Sequence, residues 1–520
     1  MHRPADAVAP GAPLVGVTGR GVGPRNGPPD DRPTAHRRAA RTRRRRPHPG
    51  ITTTGVTAGA DPRMTQTMSR QIAASTAARP RGRAAVLGVV LAAAALLAGA
   101  CGSPTPEPLT RKEAPPNVEI DPAQPCTREA PSGDGGGESG GTPTARFNAA
   151  ENEITVTAGE GVTLSALAER VADNALRDAG DGVWELRADL VVLEGASVRI
   201  AAPEVKWLKL ISEDGKFASL KPAGGALDVV GTCITSWDPE ANAADTNLED
   251  GRGYLLARDG ARMDIDNAEL RFLGNGTVES YGLSWRTEGT TGKITNSVVS
   301  HNYFGLYSHE IDGLVVTGNE FHDNQLYGID PHTGSHNMTI ENNVVHDNGK
   351  HGIILAEDCV DSVIRGNTVY RNSHHGIVLY LRSDRNTIED NDTFANAAQG
   401  ININESHDSV IRNNRVYDNN ESGIGITQTS SNNLVENNQV RGNTQDGVRL
   451  VSESARTTVR GNTIGENGRY GVYVDIDGDV DIAGNMIFAN RSGIMLKGSA
   501  VVPDDDNEVF DNEQAAIIND

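Results

Sequence analysis

Ten glycines recur at intervals of 22–24 residues, and each begins the same short apolar pattern. They are Gly282, Gly305, Gly328, Gly352, Gly376, Gly400, Gly423, Gly447, Gly471 and Gly493. The patterns include YGLSW, YGIDP, HGIIL, HGIVL and SGIML. A fixed period of this length indicates repeated units that cannot bury their apolar faces alone and therefore stack on one another.

Two columns of asparagine keep the same step as the glycines. One is Asn319, Asn343, Asn367, Asn391, Asn414, Asn438, Asn462, Asn485 and Asn507; the other is Asn324, Asn348, Asn372, Asn396, Asn419, Asn443, Asn467, Asn490 and Asn512. Three columns in step, with β-branched residues between them, predict three short strands per turn of a right-handed parallel β-helix. Asn tolerates left-handed backbone, so we expect it at the corners, where stacked amides can bond one another.

We therefore predict an all-β solenoid, with regular rungs over 271–520 and irregular rungs over 146–270. The segment from Leu164 to about Ala179 has an amphipathic pattern and predicts a helix. A helix at this place would cap the first rung and cover its unpaired edge.

The first hundred residues do not resemble a folded domain. Residues 1–63 are rich in Arg, Pro, Gly and Ala, and we expect them to be disordered or an over-extended start before Met64 or Met68. A basic segment then precedes an uncharged stretch ending in LLAGAC, which predicts a signal peptide over 64–101. The Cys in that ending resembles a bacterial lipobox, so Cys101 is the expected lipidation site; a transmembrane stub is the alternative.

Residues 102–145 are rich in Pro, Gly and Ser and predict a flexible tether between the anchor and the solenoid. These features predict an exported protein that is lipid-anchored at the bacterial cell surface or periplasmic face. Export would place Cys126, Cys233 and Cys359 in an oxidising compartment. Cys126 and Cys233 could pair, but the sequence alone does not decide this.

Charge and spacing exclude several classes of partner. Without residues 1–100 the chain has 32 basic and 65 acidic residues, a net charge near −33, which argues against nucleic acid. A polyanionic substrate would therefore need a local basic patch. No cysteine spacing predicts a metal site, and we expect a monomer without a cofactor, leaving a calcium requirement open.

After residue 100, all ten histidines fall between His301 and His407. Strands stack about 4.8 Å apart, so this interval is only some five rungs of a solenoid. We expect three of the ten, His322, His346 and His407, to be solvated corner residues. The others point to a local site.

The glycine register predicts which side chains face outward. The first and third positions after each Gly are apolar and face the core, so the second and fourth face outward. The fourth position reads Arg286, His309, His332, Ala356, Tyr380 and Asn404, and the second reads Ser284, Tyr307, Asp330, Ile354, Val378 and Asn402. With Tyr327, His351 and His375 just before the glycines, these columns combine cations, imidazoles and phenols suited to proton transfer.

Pro331 breaks the pattern, because it takes an inward position of a central strand where its missing N–H interrupts the ladder. Such local violations are typical of functional sites, although a tolerated bulge is the alternative.

The segment YGIDPHTGSHNMTIENN, followed by GKHGIIL, resembles the active-site region of mannuronan C5-epimerases, which are parallel β-helices with a YG-x-DPH signature. The periplasmic branch of that family has Asp after DPH, and here the residue is Thr333. The resemblance implies removal of the C5 proton of a uronate and its return to the opposite face. It implies His332 as the base, Tyr327 as the proton donor and Asp330 as an orienting carboxyl.

Either Lys350 or Arg286 would neutralise the substrate carboxylate, and the sequence does not choose between them. Substrate contacts are expected from His309, His336, His351, His375, Tyr307, Tyr380 and Arg382, with His351 and His336 as second choices for the base. A uronan lyase would use the same first proton abstraction. A non-catalytic carbohydrate-binding β-helix is the alternative from another class.

Overall fold

In the computed structural model, residues 106–128, 140–171, 174–213, 215–498 and 506–520 are described. The expected disordered start, the signal peptide and Cys101 lie outside these residues, as do 102–105 and 129–139 of the expected tether. Among the described helices, none is long and apolar enough to cross a membrane.

The described residues form 45 strands and one helix. Before the regular repeats lie β1 Thr144–Asn148, β2 Glu153–Val162, α1 Leu164–Ala168, β3 Leu176–Gly180, β4 Val183–Leu186, β5 Asp189–Leu193, β6 Ala196–Ala201, β7 Trp207–Glu213, β8 Lys216–Phe217, β9 Leu220–Ala223, β10 Ala226–Val230, β11 Cys233–Asp238, β12 Ala243–Ala244, β13 Leu255–Ala257, β14 Arg262–Asp266 and β15 Glu269–Arg271.

The first half of the regular repeats contains β16 Gly282–Arg286, β17 Thr291–Thr295, β18 Val298–Ser300, β19 Phe304–His309, β20 Val315–Thr317, β21 Glu320–His322, β22 Ile329–His332, β23 Thr339–Glu341, β24 Val344–His346, β25 Ile353–Ala356, β26 Val363–Arg365, β27 Thr368–Tyr370, β28 Ile377–Tyr380, β29 Thr387–Glu389 and β30 Asp392–Phe394. The second half contains β31 Ile401–Asn404, β32 Val410–Arg412, β33 Arg415–Tyr417, β34 Ile424–Thr427, β35 Leu434–Glu436, β36 Gln439–Arg441, β37 Val448–Val451, β38 Thr457–Arg460, β39 Thr463–Gly465, β40 Tyr470–Asp475, β41 Val480–Ala483, β42 Met486–Phe488, β43 Ser492–Lys497, β44 Glu508–Phe510 and β45 Ile517–Asn519.

Each complete regular rung gives one strand to each of three parallel sheets, which we call A, B and C. In one rung β22 lies in sheet A, β23 in sheet B and β24 in sheet C, and the next rung pairs with it through β25, β26 and β27. The glycine column stacks as expected, because the N–H of Ile329 donates to the carbonyl of Gly352 and that of Ile353 to Gly376. The predicted right-handed parallel β-helix is confirmed.

The solenoid begins earlier than its regular repeats. Strand β2 pairs in parallel with β5, β5 with β9, and β13 with both β9 and β16, so these rungs continue sheet A toward the N-terminus. Helix α1 packs Leu164 and Leu167 into the core but is only five residues long. The expectation of a helix to Ala179 is wrong, because Leu176–Gly180 forms a hairpin with β4 whose turn has left-handed backbone at Asp181.

The core is one continuous column of apolar side chains inside the three sheets. Its members from sheet A include Ile329, Ile353, Ile377 and Ile401, all fully buried, which confirms the inward first position after each Gly. A separate small cluster contains Ile354, Ala356 and Val378 and lies outside this core.

The asparagine columns form two buried hydrogen-bond ladders. In the first, Asn343 Nδ2 donates to Asn367 Oδ1 at 3.0 Å, and Asn367 donates to Asn391 at 3.0 Å. The left-handed residue of each corner is the one before the Asn, such as Asn342 with φ 56°. Left-handed tolerance therefore does not explain these asparagines; their amides satisfy buried backbone groups on neighbouring rungs.

Part of the expected tether is a strap, residues 106–128, that lies along sheet C. Lys112 donates its N–H to the hydroxyl of Tyr417 at 2.9 Å, and its Nζ lies 2.6 Å from Asp392 Oδ2. Leu109 and Ala114 pack on the stacked rings of Tyr370, Phe394 and Tyr417. Flexibility is therefore the wrong expectation for this part of 102–145, because apolar and ionic contacts fix it to the solenoid.

At its other end the strap is closed by a disulfide between Cys126 and Cys233, the pairing that the sequence left open. Two histidines of sheet C were expected to be solvated corner residues, and this expectation is wrong. His322 and His346 are buried, and their rings stack at 5.1 Å in line with Tyr370.

Candidate active site

Sheet A brings the predicted cation and imidazoles into one line. Arg286 pairs with His309 across β16 and β19, and His309 pairs with His332 across β19 and β22. His332 pairs in turn with Ala356, and Ala356 with Tyr380. The fourth column of the glycine register is thus a continuous row of adjacent side chains.

The second column beside it is also placed in register, with Tyr307 opposite Asp330, but it is not open to solvent. Ser284, Tyr307, Asp330 and Val378 are each at most 7% exposed. Tyr327 packs on the outer cluster that contains Val378 and covers it. The side chains at the second position after each Gly therefore point away from the core but are covered by larger neighbouring side chains, and they are not exposed to solvent.

Pro331 interrupts the ladder as its chemistry requires. The N–H of Ile329 donates to Gly352 and that of Thr333 to Ala356, and Pro331 lies between them without an N–H. The pairing of β22 with β25 accordingly joins only the two ends of the strand, Ile329 and His332. This break lies directly between the two candidate catalytic residues Asp330 and His332.

Asp330 is the central buried carboxyl of the site. It is 1% exposed, and its Oδ1 has no hydrogen-bond partner among the described residues. Burial raises its pKa well above the usual range, an effect that the cation of Lys350 opposes. Beyond burial, the proximity of Asp330 also raises the pKa of the phenols of Tyr307 and Tyr327. These phenols are therefore protonated at neutral pH.

The Nδ1 atom of His332 has a hydrogen-bond partner. Its Nδ1 lies 2.7 Å from the hydroxyl of Thr333, and its ring stacks on Tyr307 with centroids 5.7 Å apart. Burial lowers the pKa of His332, and His309 and Arg286 lower it further, while the carboxylate of Glu357 raises it. The imidazole is therefore neutral near pH 7 and can accept a proton.

The two candidate cations have different surroundings. Lys350 is exposed and donates to the hydroxyl of Tyr327 at 2.7 Å. The side chain of Arg286 is 12% exposed, its Nε lies 3.9 Å from Glu279 Oε1, and its guanidinium carbon lies 5.1 Å from the ring centroid of Tyr307. One of its nitrogens, Nη1, is buried without a hydrogen-bond partner in the described structure, so Arg286 has an unused donor.

Three further histidines lie beside Tyr327. His351 stacks on Tyr327 at 5.4 Å and on His375 at 5.2 Å, and His374 meets both imidazoles edge-on. Ring nitrogens of the three lie within 4.8 Å of one another, close enough to hold a metal ion. However, Nδ1 of His351 accepts the N–H of His375, and Nδ1 of His375 accepts that of Gln399, so each neutral ring keeps its proton on Nε2. A histidine that binds a metal through one ring nitrogen usually donates an N–H from the other. In His351 and His375 the Nδ1 atom accepts an N–H instead, so this cluster does not fit a metal site.

The remaining predicted substrate residues are spread along the solenoid. Tyr380 is 39% exposed on sheet A, two rungs beyond His332. Arg382 forms an exposed two-pronged ion pair with Asp358 at 2.7 Å, past the end of its sheet A strand. His336 lies beyond the corner that follows β22, where its backbone forms an isolated parallel β-bridge with that of Asp312. The structure thus groups Tyr380 with the site but places Arg382 and His336 outside the row.

The sequence reasoning missed Glu357 and the aromatic residues Tyr281 and Phe304. Tyr281 contacts Phe304 at 4.8 Å and Tyr307 at 5.0 Å, and Phe304 contacts Tyr327 at 5.3 Å. Glu357 is the fifth residue after Gly352, one rung beyond Thr333 in the same register. Extending the register by one position would have placed it beside Thr333.

Comparisons with known proteins agree with this fold. The family described as "Right handed beta helix region" matches residues 380–520, and "Periplasmic copper-binding protein (NosD)" matches 265–446. The crystal structure of the periplasmic alginate epimerase AlgG superposes with a TM-score of 0.54 and 24% identity, covering 71% of this chain and 85% of that one. A mutant of that protein gives 0.57 and 23%, covering 70% and 85%. These structures define a right-handed parallel β-helix protein.

Curated proteins with similar sequences carry a more specific name than the structural matches do. The mannuronan C5-epimerase of Pseudomonas aeruginosa is 30% identical over 192 residues, 34% of this chain and 35% of its own length. Mannuronan C5-epimerase AlgG of Azotobacter vinelandii is 31% identical over 192 residues, 34% and 36% of the two chains. The matched stretch spans about a third of these curated relatives. Over that stretch the resemblance to the mannuronan C5-epimerase family is confirmed.

Proposed function

We propose that this chain is an exported polyuronate C5-epimerase that acts on a mannuronan-like acidic polysaccharide. The observation that carries the proposal is the arrangement of one rung, in which Tyr327 lies just before β22, His332 ends that strand, and the buried carboxyl of Asp330 lies between them in the chain. A sugar ring over Asp330 would meet an imidazole on one side and a phenol on the other. The resemblance to mannuronan C5-epimerases and the periplasmic names of related proteins support the substrate and the export.

The reaction begins with removal of the C5 proton, which lies next to the substrate carboxylate. A free carboxylate makes this proton very weakly acidic, so a cation must neutralise it before a base can act. Neutral His332 takes the proton, and negative charge develops on the carboxylate oxygens. The place of Arg286 in the same row as His309 and His332 supports its role in holding that carboxylate, since a guanidinium fork fits a planar carboxylate.

Reprotonation on the opposite face completes the epimerisation. The raised pKa of Tyr327 keeps its phenol protonated, so it is a donor and not a base at neutral pH. After it gives its proton, the ammonium of Lys350 at 2.7 Å stabilises the phenolate. Lys350 therefore acts on the donor side and Arg286 on the carboxylate. No step requires a cofactor, and a role for calcium is left to experiment.

The test is proton NMR of polymannuronate incubated with the protein in deuterated water. An epimerase introduces deuterium at C5 and produces guluronate residues without unsaturated ends. A uronan lyase would instead raise the ultraviolet absorbance of unsaturated uronate. Binding of the polymer without exchange at C5 would show a carbohydrate-binding β-helix and overturn the proposal. Repeating the assay with EDTA and with added calcium decides the calcium requirement.

A further inference from the structure

Thr333 directly follows His332, the proposed base, in the chain. A carboxylate lies within reach of the imidazole through the hydroxyl of this threonine. The hydroxyl of Thr333 donates to Glu357 Oε2 at 3.2 Å, and the same hydroxyl lies 2.7 Å from His332 Nδ1. Three groups therefore form one chain from imidazole to carboxylate.

The direction of these hydrogen bonds fixes the tautomer of the imidazole. A threonine hydroxyl has one proton, and an ionised carboxylate can only accept. When Thr333 donates to Glu357, its oxygen must accept from His332, so Nδ1 carries the proton. Nε2 is then left with a free lone pair as the basic nitrogen.

The contacts arise from the corner that follows each sheet A strand. The fifth residue after the Gly has left-handed backbone on successive rungs, as in Glu310 (φ 57°), Thr333 (φ 25°) and Glu357 (φ 62°). The backbone of Thr333 is held on both sides, since its N–H donates to Ala356 and its carbonyl accepts from Glu310. Thr333 and Glu357, which with His332 form a hydrogen-bonded relay, therefore lie on adjacent rungs of the same corner column.

We propose that Thr333 and Glu357 together position His332 as the base, the hydroxyl passing the orienting effect of the carboxylate to the imidazole. This inference rests on the proposed function for the role of His332, and it assigns positioning residues rather than catalytic ones. The charged and titratable groups that face His332 are Arg286 and His309 in its own row, Tyr307 stacked on its ring, and Glu357 at the next corner. Of these, only Glu357 favours the protonated imidazole.

The first experiment needs no substrate. Nitrogen-15 NMR of labelled histidine distinguishes a protonated Nδ1 from a protonated Nε2, and His332→Gln assigns the signal. We expect wild-type His332 with the proton on Nδ1, and a mixture of tautomers in Thr333→Val, which keeps the shape and loses the hydroxyl. Thr333→Ser should restore the wild-type signal. A wild-type imidazole protonated on Nε2 would overturn the inference whether or not the protein is an epimerase.

The second experiment measures epimerisation against pH. Thr333→Val should lower kcat by about 10- to 100-fold, the size of effect seen when a histidine that binds a metal loses the hydrogen-bond partner that orients it. Glu357→Gln removes the charge that raises the pKa of His332, so the acidic limb of kcat/KM should move to lower pH. Glu405→Gln, the same change two rungs further along the corner column, is the matched control and should leave the limb in place.

Unchanged rates and an unmoved limb in Thr333→Val and Glu357→Gln would overturn the positioning role. Loss of activity in both with equal loss in Glu405→Gln would do so too, because it would reflect only the stability of the corner column. An inactive wild type with the Nδ1 tautomer would instead reject the proposed reaction and retain the relay.

Discussion

The ammonium of Lys350 lies 2.7 Å from the phenol oxygen of Tyr327, and its charge also opposes the raised pKa of Asp330. The cation is thus shared between a phenol and a buried carboxyl on the rung before it. In the proposed mechanism this contact puts Lys350 beside the proton donor Tyr327. Arg286, two rungs before His332 in the same row, is the cation proposed to hold the substrate carboxylate.

The base and the donor should each be required for C5 exchange. His332→Ala and Tyr327→Phe should each lower the rate of epimerisation by about 10²- to 10⁴-fold, because each removes a general acid or base. Both side chains lie outside the continuous core, so the thermal midpoint should change little. The readout is deuterium incorporation at C5, with circular dichroism to confirm folding. Wild-type exchange in either variant would remove that residue from the mechanism.

The two cations should differ in kind as well as in size of effect. Arg286→Ala should raise KM for the polymer and lower kcat, since the guanidinium holds the reacting carboxylate. Lys350→Ala should lower kcat with a smaller change in KM, because the ammonium acts on the phenol of Tyr327. Steady-state kinetics on polymannuronate of defined length separate the two. A larger KM effect in Lys350→Ala would exchange their roles.

The glycine and asparagine columns were sufficient to predict the solenoid because each β-helix corner repeats the same local chemistry. They also placed His332 next to His309 and Arg286, since a register of 22–24 residues fixes which side chains are neighbours. The strap and the burial of Asp330 could not be predicted in this way. The strap depends on contacts between segments far apart in the chain, such as Lys112 with Asp392, for which the repeat carries no signal. The burial of Asp330 depends on how neighbouring side chains pack over its column, and an alternation of inward and outward positions does not give that packing.

Acid should destabilise the protein through its stacked imidazoles. Burial lowers the pKa of His375 to about 3 and that of His351 well below its usual value, and each Nδ1 accepts a backbone N–H. The unfolded chain therefore binds more protons below pH 6.5, so stability falls as the pH drops from 6.5 toward 3. Thermal midpoints measured across this range should fall less steeply in His375→Gln. An equal slope in wild type and variant would show that other groups control acid unfolding.

The asparagine ladder should be a major source of stability. Asn391 accepts from both the backbone N–H and the side-chain amide of Asn367, and it donates to the carbonyl of Ile364. Asn391→Ala leaves these buried groups unsatisfied and should lower the free energy of unfolding by at least about 2 kcal/mol. Chemical denaturation measures the change, with the exposed Asn420→Ala as control. Equal stability of the two variants would show that water replaces the amide.

The disulfide should hold the strap against sheet C. Cys126 and Cys233 are 107 residues apart, so their bond closes a long loop and restricts the unfolded chain. The double substitution Cys126→Ala with Cys233→Ala should lower the free energy of unfolding by about 2–4 kcal/mol. Hydrogen exchange should quicken first at Lys112, whose N–H bonds to Tyr417. A reducing agent should lower the wild-type midpoint and leave that of the double variant unchanged; an insensitive wild type would show that the ionic contacts alone keep the strap in place.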